Sequence, residues 1–188
     1  TSEVSVHHLT FASEDYKTLG NLIKCNPAIK YDEDREALWD ALNNNYLDII
    51  ATDHAPHTLE EKNNPYSKSP SGIPLVQHCL QQMIEHSKNG RISNERMVEK
   101  MCHAPAECFQ ISKRGFIREG YFADLVLVDP NKNYQVTKNN ILYKCGWSPF
   151  EGKTFSSSIH TTFVSGIKVF SNDKLTGERG GMRLTFER

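Results

Sequence analysis

The stretch "ATDHAPH" at residues 51–57 places one carboxylate and two imidazoles within five positions, directly after an apolar run at 47–50. A carboxylate at the carboxyl end of a buried parallel strand can bind a divalent metal and accept a proton from water. Asp53 is therefore a candidate metal ligand and general base, and His57 is a candidate for holding an anionic substrate. Three residues do not close a metal site. The residues alone equally allow Asp53 to cap the next turn and the histidines to be ordinary loop residues.

Short strands and helices alternate around this motif. A strand is predicted at 4–11 ("VSVHHLTF") and another at 46–52 ("YLDIIAT"), which runs directly into the motif. Between them the segment 32–45 predicts a helix, since its apolar residues recur at helical spacing after two N-terminal aspartates. Strand, helix and strand in this order are typical of a parallel α/β unit.

Two further helices are predicted after the motif. The segment 73–90 has one apolar face and ends at Gly90, a residue suited to terminating a helix. The segment 94–111 follows, with Asn94 as a plausible N-cap. Pro105 is expected to break or kink this helix in its middle, because proline lacks the backbone N–H that the helix interior uses.

The pattern becomes β-rich after Lys113. Strands are predicted within 122–129, 156–166 and 167–173, separated by turns that contain Gly, Pro and Asn. We therefore predict a domain boundary near residue 114. The unit 1–113 is expected to be α/β, and the unit 114–188 is expected to be a small domain closer to a β-sandwich than to a barrel layer.

Composition excludes several classes of protein. With 22 basic and 23 acidic residues spread along 188 positions, nothing predicts a nucleic-acid partner. No apolar segment approaches the roughly 20 residues that span a bilayer, and the start does not resemble a signal peptide. Five scattered cysteines without a CxxC pair favour reduced thiols in a cytoplasmic protein. The chain also begins almost inside a strand-like run, as expected of a piece of something longer.

Several segments resemble dihydroorotases, a branch of the amidohydrolase superfamily. "ATDHAPH" is similar to the signature at the end of their eighth barrel strand, and "SVHHLTF" resembles their Thr-Pro-His-His-Leu strand, with Ser5 and Val6 in place of Thr-Pro. Four other segments are similar, in the family's order: "KCNPAIK" (24–30), "SPSGIPLVQH" (69–78), "GFIREGYFADLVLVD" (115–129) and "WSPFEG" (147–152).

The resemblance implies a fold and an activity for a longer protein. The fold is the C-terminal part of a TIM-like (β/α)8 metal-dependent hydrolase barrel followed by a small β-sandwich domain. The activity is the reversible cyclisation of N-carbamoyl-L-aspartate to L-dihydroorotate in pyrimidine biosynthesis, with one or two Zn²⁺ ions. The family's His-x-His-x-Arg, bridging carboxylate and two later histidine ligands have no match here. We therefore expect partners in the missing N-terminal half of the barrel and in a homo-oligomer, and no activity from this chain alone.

The resemblance also implies roles for five residues. Asp53 matches the last metal ligand and the general base for the attacking water. Asn26 and His57 match positions that hold the substrate's carboxylate and ring, and Ser71 and Gly72 match a segment whose backbone contacts the ring. The simpler alternatives are a turn cap for the aspartate, a turn residue before proline for the asparagine, and an eased entry into the next helix for the glycine.

Other histidines near the motif have supporting roles by the same comparison. His54 is expected to point away from the metal. His7 and His8 lie on a strand that supplies no metal ligand in the family, so we expect them to pack and to support the neighbouring site residues without binding metal. Hydantoinases and dihydropyrimidinases open similar cyclic amides but usually lack a histidine at this position. The presence of His57 here therefore favours an anionic substrate. The alternatives are another cyclic amidohydrolase of that kind, or a non-catalytic scaffold that has lost its metal site.

Overall fold

The computed structural model of this chain describes residues 1–187, and its first part contains two parallel strands. β1 (Glu3–Ser5) pairs with β2 (Ile49–Ala51), with Val4 opposite Ile50. Both of these side chains are buried, as expected for strands of a parallel sheet covered on both faces. The predicted parallel α/β arrangement is confirmed. Within the described residues the two strands form a two-stranded sheet and do not close a barrel.

The segment predicted as one strand at 4–11 is a strand only at its start. α1 (Val6–Thr10) follows β1 directly, so the prediction is wrong from residue 6 onward. Val6 and Leu9 are fully buried about one helical turn apart, and the Thr10 hydroxyl donates to the Val6 carbonyl at 2.7 Å. Packing of both apolar side chains into the core favours the helical turn. His7 and His8 consequently lie on this turn.

Short helical turns lead from α1 to the first long helix. They are the 3-10 turns Ser13–Asp15 and Gly20–Ile23, with α2 (Tyr16–Leu19) between them. α3 (Asp32–Asn43) confirms the helix predicted at 32–45. Three acidic residues occupy its first turn, where the partial positive charge of the helix end favours them. α3 buries Trp39, whose indole N–H donates to the Leu9 carbonyl at 3.0 Å.

The helix predicted at 73–90 begins later than its apolar pattern suggested. After the single turn α4 (Leu59–Lys62), α5 spans Cys79–Lys88. Ile73 instead forms a β-bridge with His54, and the backbone N–H of Leu75 donates to the His54 ring. These contacts hold residues 73–76 against the end of β2, so the helix starts only after them. Gly90 follows the helix with φ +74°, which confirms the predicted stop.

The next helical region is interrupted, as its proline predicted. α6 (Asn94–Val98) passes through a π-helical turn (Glu99–His103) into α7 (Ala104–Cys108), whose first turn contains Pro105. The N-cap is Ser93 and not Asn94, because the Ser93 hydroxyl accepts from the Arg96 N–H at 3.1 Å. Among residues 1–187, the structure contains no helix with both the length and the apolar character required to cross a membrane.

The remaining part is β-rich, in agreement with the sequence. β3 (Leu125–Asp129), β6 (Ser158–Val164), β7 (Ile167–Ser171) and β8 (Lys174–Leu175) form an antiparallel sheet in that spatial order. β4 (Tyr134–Gln135) pairs with β5 (Thr154–Phe155). The boundary near residue 114 and the sandwich arrangement stay predictions.

One hydrophobic cluster joins the two parts of the chain. Phe11, which follows α1, and Ile23, which ends the 3-10 turn Gly20–Ile23, pack with Phe150 and Phe155 from the β-rich part, and all four are buried. The Phe11 and Phe150 rings stack with their centroids 5.6 Å apart. The β-rich part therefore supports the loops that follow β1 and β2, where the candidate site residues lie.

Candidate active site

Asp53 lies two residues beyond β2 with its carboxylate turned to solvent. Its backbone has φ +44°, in the left-handed region that aspartate tolerates better than most residues. The side chain is 47% exposed, and no hydrogen bond from residues 1–187 holds it. The exposed carboxylate, free of hydrogen bonds, leaves both oxygens available to a ligand. The predicted position at the carboxyl end of a parallel strand is confirmed.

His7 is the imidazole nearest to this carboxylate. Its Nε2 lies 3.9 Å from Asp53 Oδ2, too far for a hydrogen bond. The ring is fully buried, and neither nitrogen has a hydrogen-bond partner in the described chain. Burial, and secondarily the neighbouring His8, lower the pKa of His7 to about 3. His7 is therefore neutral at physiological pH, and the pair is not an ion pair.

His54 points away from the carboxylate, as expected. Its Nδ1 accepts the backbone N–H groups of Leu75 and Val76 at 3.0 and 3.3 Å. Burial lowers its pKa, which suits a neutral ring that accepts at this nitrogen. His54 thus attaches the segment after Gly72 to the end of β2 and leaves Asp53 as the motif's free ligand.

The structure brings His57 and Ser71 together. His57 Nε2 lies 3.1 Å from the Ser71 carbonyl, and the Trp147 indole N–H donates to the His57 carbonyl at 2.8 Å. Nδ1 of His57 is 3.8 Å from Glu61, whose carboxylate is already bound by the backbone and hydroxyl of Thr58. Nδ1 is therefore the His57 atom left for another partner.

Gly72 fills a position that a side chain cannot occupy. An added Cβ would overlap the Ala55 carbonyl oxygen and come within 2.9 Å of the His57 ring, and φ is +148°. Because this contact is with the motif's own backbone, glycine does more here than ease entry into α5. The close approach fixes the Ser71–Gly72 segment against residues 55–57.

Asn26 lies on the other loop of the site. Asn26 is exposed and follows the buried Cys25. Its peptide bond to Pro27, which is also exposed, is cis. Its side-chain amide has no hydrogen bond within the described residues, so both amide atoms are free to bind a ligand. Cys25 lies near enough for the Asp53 charge to raise the thiol's pKa, after the larger effect of burial. The Asn26 loop therefore approaches Asp53.

Lys62 is the main structural residue that sequence reasoning missed. Its side chain is 1% exposed, and its ammonium donates to the carbonyls of Lys24, Pro70 and Gly72 at 2.9–3.0 Å. These carbonyls belong to the two loops that carry Asn26 and Ser71. A lysine in a one-turn helix looks solvated in sequence, and only contacts made by distant loops reveal its burial. Desolvation lowers its pKa to about 8.

The sequence of this chain is similar to that of known proteins over most of its length. The profile of the "Amidohydrolase family" matches residues 3–169, most of the chain. This chain belongs to the amidohydrolase family. The dihydroorotase of Halobacterium salinarum is 35% identical over 182 residues, which are 96% of this amidohydrolase chain and 42% of that protein. The dihydroorotase of Archaeoglobus fulgidus is 38% identical over 152 residues, covering 81% of the chain and 36% of that protein.

Solved structures of similar shape include hydantoinases. The L-hydantoinase (dihydropyrimidinase) of Arthrobacter aurescens superposes with a TM-score of 0.86 and 29% identity, covering 95% of this amidohydrolase and 41% of that chain. A D-hydantoinase superposes with a TM-score of 0.85 and 25% identity. The amidohydrolase chain thus spans about two fifths of the length of the relatives it matches. The similarity to the two dihydroorotases confirms the resemblance found in the sequence.

The residues present fit part of a metal site. The free, exposed carboxylate of Asp53 can supply one oxygen ligand. A catalytic zinc needs three protein ligands, so this amidohydrolase chain would hold such an ion only together with residues beyond those described. The metal-binding and substrate-binding roles of Asp53, Asn26, His57, Ser71 and Gly72 stay predictions.

Proposed function

We propose that this chain is the C-terminal part of a dihydroorotase. The complete protein would reversibly cyclise N-carbamoyl-L-aspartate to L-dihydroorotate at a site shared with barrel strands outside this chain. The observation that carries the proposal is the Asp53 carboxylate, free of hydrogen bonds at the end of β2, with the Asn26 loop approaching it. Similarity to dihydroorotases over 96% of the chain supports it.

Asp53 would act as both metal ligand and base. Zinc, when bound, polarises the substrate's amide carbonyl and lowers the pKa of the attacking water. In ring opening, an Asp53 oxygen accepts the proton of that water and returns it to the ring nitrogen as the C–N bond breaks. In cyclisation, the same oxygen takes the proton from the ureido nitrogen as that nitrogen attacks the carboxyl carbon, and passes it to the oxygen that leaves this carbon as water. The 47% exposed carboxylate, free of hydrogen bonds, supports a role in both transfers.

Asn26 and His57 would recognise the substrate's carboxylate. The unbonded amide of Asn26 can donate N–H groups to a carboxylate oxygen. His57 keeps Nε2 directed at the Ser71 carbonyl and offers Nδ1 as a second donor when that nitrogen is protonated. With donors on both nitrogens the His57 ring is an imidazolium, whose positive charge balances the substrate carboxylate, while the amide of Asn26 adds no charge. The rigid Ser71–Gly72 backbone would then lie against the substrate ring.

A second candidate is a cyclic amidohydrolase for uncharged substrates. It is favoured by the superposition with an L-hydantoinase (dihydropyrimidinase) at a TM-score of 0.86. The chemistry at Asp53 would be the same in both cases. The difference lies in the ring substituent, because a dihydropyrimidine or hydantoin without a carboxylate gives Asn26 and His57 no anion to bind.

The test compares two substrates on the longer protein that contains this chain. Loaded with zinc, it should hydrolyse dihydroorotate with a kcat/KM at least about 100-fold above that for dihydrouracil, since charged hydrogen bonds to the carboxylate contribute about 1.5–3 kcal/mol each. The reverse preference would establish the second candidate. Turnover of neither substrate by a zinc-loaded, folded protein would favour a non-catalytic scaffold.

A further inference from the structure

A cluster of three potential metal ligands lies beside the predicted active site. His7, His8 and Cys25 each offer one ligand atom, and these atoms all lie within 4.8 Å of one another. The two imidazoles come from α1 and the thiol from the loop before Asn26, so the fold assembles the cluster from separate segments. Asp53 is not among the three.

His7 is the ligand whose present state most clearly lacks a partner. It is 0% exposed, and both of its ring nitrogens are without a hydrogen bond in the described chain. Buried polar atoms are ordinarily paired, so an imidazole with two unpaired nitrogens calls for a partner. Neutral imidazole is the form that binds metals. Packing alone does not account for this histidine.

The spacing of the other two ligands suits a tetrahedral metal. Cys25 Sγ lies 3.8 Å from His8 Nε2. With a zinc–sulfur distance of about 2.3 Å and a zinc–nitrogen distance of about 2.0–2.1 Å, tetrahedral geometry sets these atoms about 3.6 Å apart. One thiolate and two imidazoles are ligands that select zinc and other soft cations over Mg²⁺ or Ca²⁺.

We propose that His7, His8 and Cys25 form a binding site for a soft divalent cation such as Zn²⁺ or Cd²⁺. Water can supply the fourth ligand of a tetrahedral site that has three protein ligands. This site adjoins the one predicted at Asp53, whose carboxylate lies 3.9 Å from His7 Nε2, but Asp53 is not one of its three ligands. The proposal does not depend on the proposed function. It departs from the expectation that both histidines pack and support the site without binding metal.

Binding exchanges existing hydrogen bonds for metal bonds. His8 Nε2 and Cys25 Sγ both contact the Pro27 carbonyl, at 2.9 and 3.1 Å, and both contacts are given up. The thiol proton leaves to solvent as the metal–sulfur bond forms, without any change in oxidation state. A thiol binds metal as the thiolate. Binding therefore releases about one proton per metal and strengthens as pH rises.

The test is a cadmium titration of the 188-residue chain, freed of metal under reducing conditions. We expect an ultraviolet thiolate-to-cadmium absorption band that saturates at about one equivalent and is displaced by Zn²⁺. Cys25→Ser should abolish the band, whereas Cys102→Ser, a matched change at an exposed thiol, should retain it. His8→Gln should weaken cadmium binding at least about tenfold, in keeping with the loss of one ligand.

Two further measurements separate this site from its alternatives. Asp53→Asn should leave the band and its stoichiometry unchanged, because Asp53 is not a ligand of this cluster. Far-UV circular dichroism of each variant should match the parent chain, and a Cys25→Ser variant that stays folded and loses the band supports the site. A parent chain without the band, or a band that survives in Cys25→Ser, would overturn the proposal.

Discussion

The backbone N–H of Gly72 donates to the carbonyl of Lys24 across 2.9 Å, and this bond joins the two loops that carry Asn26 and Ser71. The Lys62 ammonium donates to that same Lys24 carbonyl and to the Gly72 carbonyl. The buried ammonium holds the two loops in one arrangement because it donates to three backbone carbonyls. The predicted substrate-binding residues are thus positioned by a lysine that contacts none of their side chains.

Replacing Lys62 should separate the loops. Lys62→Met keeps most of the side-chain volume but leaves the half-buried Pro70 carbonyl and the buried Gly72 carbonyl without this donor, and a buried unsatisfied group costs about 1–3 kcal/mol. We expect the free energy of unfolding to fall by at least about 2 kcal/mol in urea titrations. Lys68→Met, a matched change at an exposed lysine, should have almost no effect. Equal losses in both variants would show that the hydrogen bonds of Lys62 to the two loops do not stabilise the fold.

Gly72→Ala should be destabilising for a different reason. The added methyl group meets the Ala55 carbonyl and the His57 ring at a backbone conformation that disfavours side chains, so we expect a loss of about 1–3 kcal/mol. Gly181→Ala is the control, because its Cβ would meet no atom within 4 Å. Thermal unfolding of both variants measures the difference. A Gly72→Ala variant as stable as the control would show that this segment can move freely.

Buried histidines should make the fold sensitive to acid. Burial lowers the pKa of His78 to about 4. Between pH 6.5 and about 4 this histidine is therefore protonated in the unfolded chain but not in the folded chain. Stability is therefore lost as pH falls through this range, by up to about 1.4 kcal/mol per pH unit for this residue. His78→Gln should reduce that slope, and His160→Gln, at an exposed histidine, should leave it unchanged. Urea unfolding at several pH values provides the measurement, and identical slopes would refute the assignment.

Local patterns predicted the elements whose contacts are close in sequence. The periodic apolar residues of 32–45 gave α3, and the apolar run before the motif gave β2 and the position of Asp53. Where distant residues decide, the predictions were incomplete. α1 replaces part of a strand because Val6 and Leu9 pack into the core, and α5 starts late because His54 binds the segment before it.

The burial of Lys62 and the cluster of His7, His8 and Cys25 could not be predicted from the sequence, and the reason is the same for both. A lysine in the middle of a polar stretch predicts a solvated side chain. Lys62 is buried only because carbonyls from residues 24, 70 and 72 converge on it. Cys25 gains its two imidazole neighbours from α1, 17 residues away in the case of His8. Neither relationship leaves a periodic or motif-like trace.

The base assignment can be tested by Asp53→Asn in the longer protein that contains this chain. The change keeps the side chain's size and one oxygen ligand but removes the proton acceptor. We expect kcat for dihydroorotate to fall by at least about 100-fold, as for loss of general-base catalysis. Metal content, measured by atomic absorption, should fall less than activity does. A variant that retains most of its kcat would remove Asp53 from the proton transfers.

The specificity assignment rests on His57 and separates recognition from general damage. If Nδ1 of His57 binds the substrate carboxylate, the contact exists in the ground state and in the transition state alike, so His57→Ala should act mainly through KM. A lost hydrogen bond to a charged group is typically about 1.5–3 kcal/mol, which predicts a roughly ten- to hundredfold loss in kcat/KM for dihydroorotate. Any slow turnover of dihydrouracil, which has no carboxylate, should be nearly unchanged. Because the ring also faces the Ser71 carbonyl, an equal loss on both substrates would mean that His57 only holds the Ser71–Gly72 segment in place.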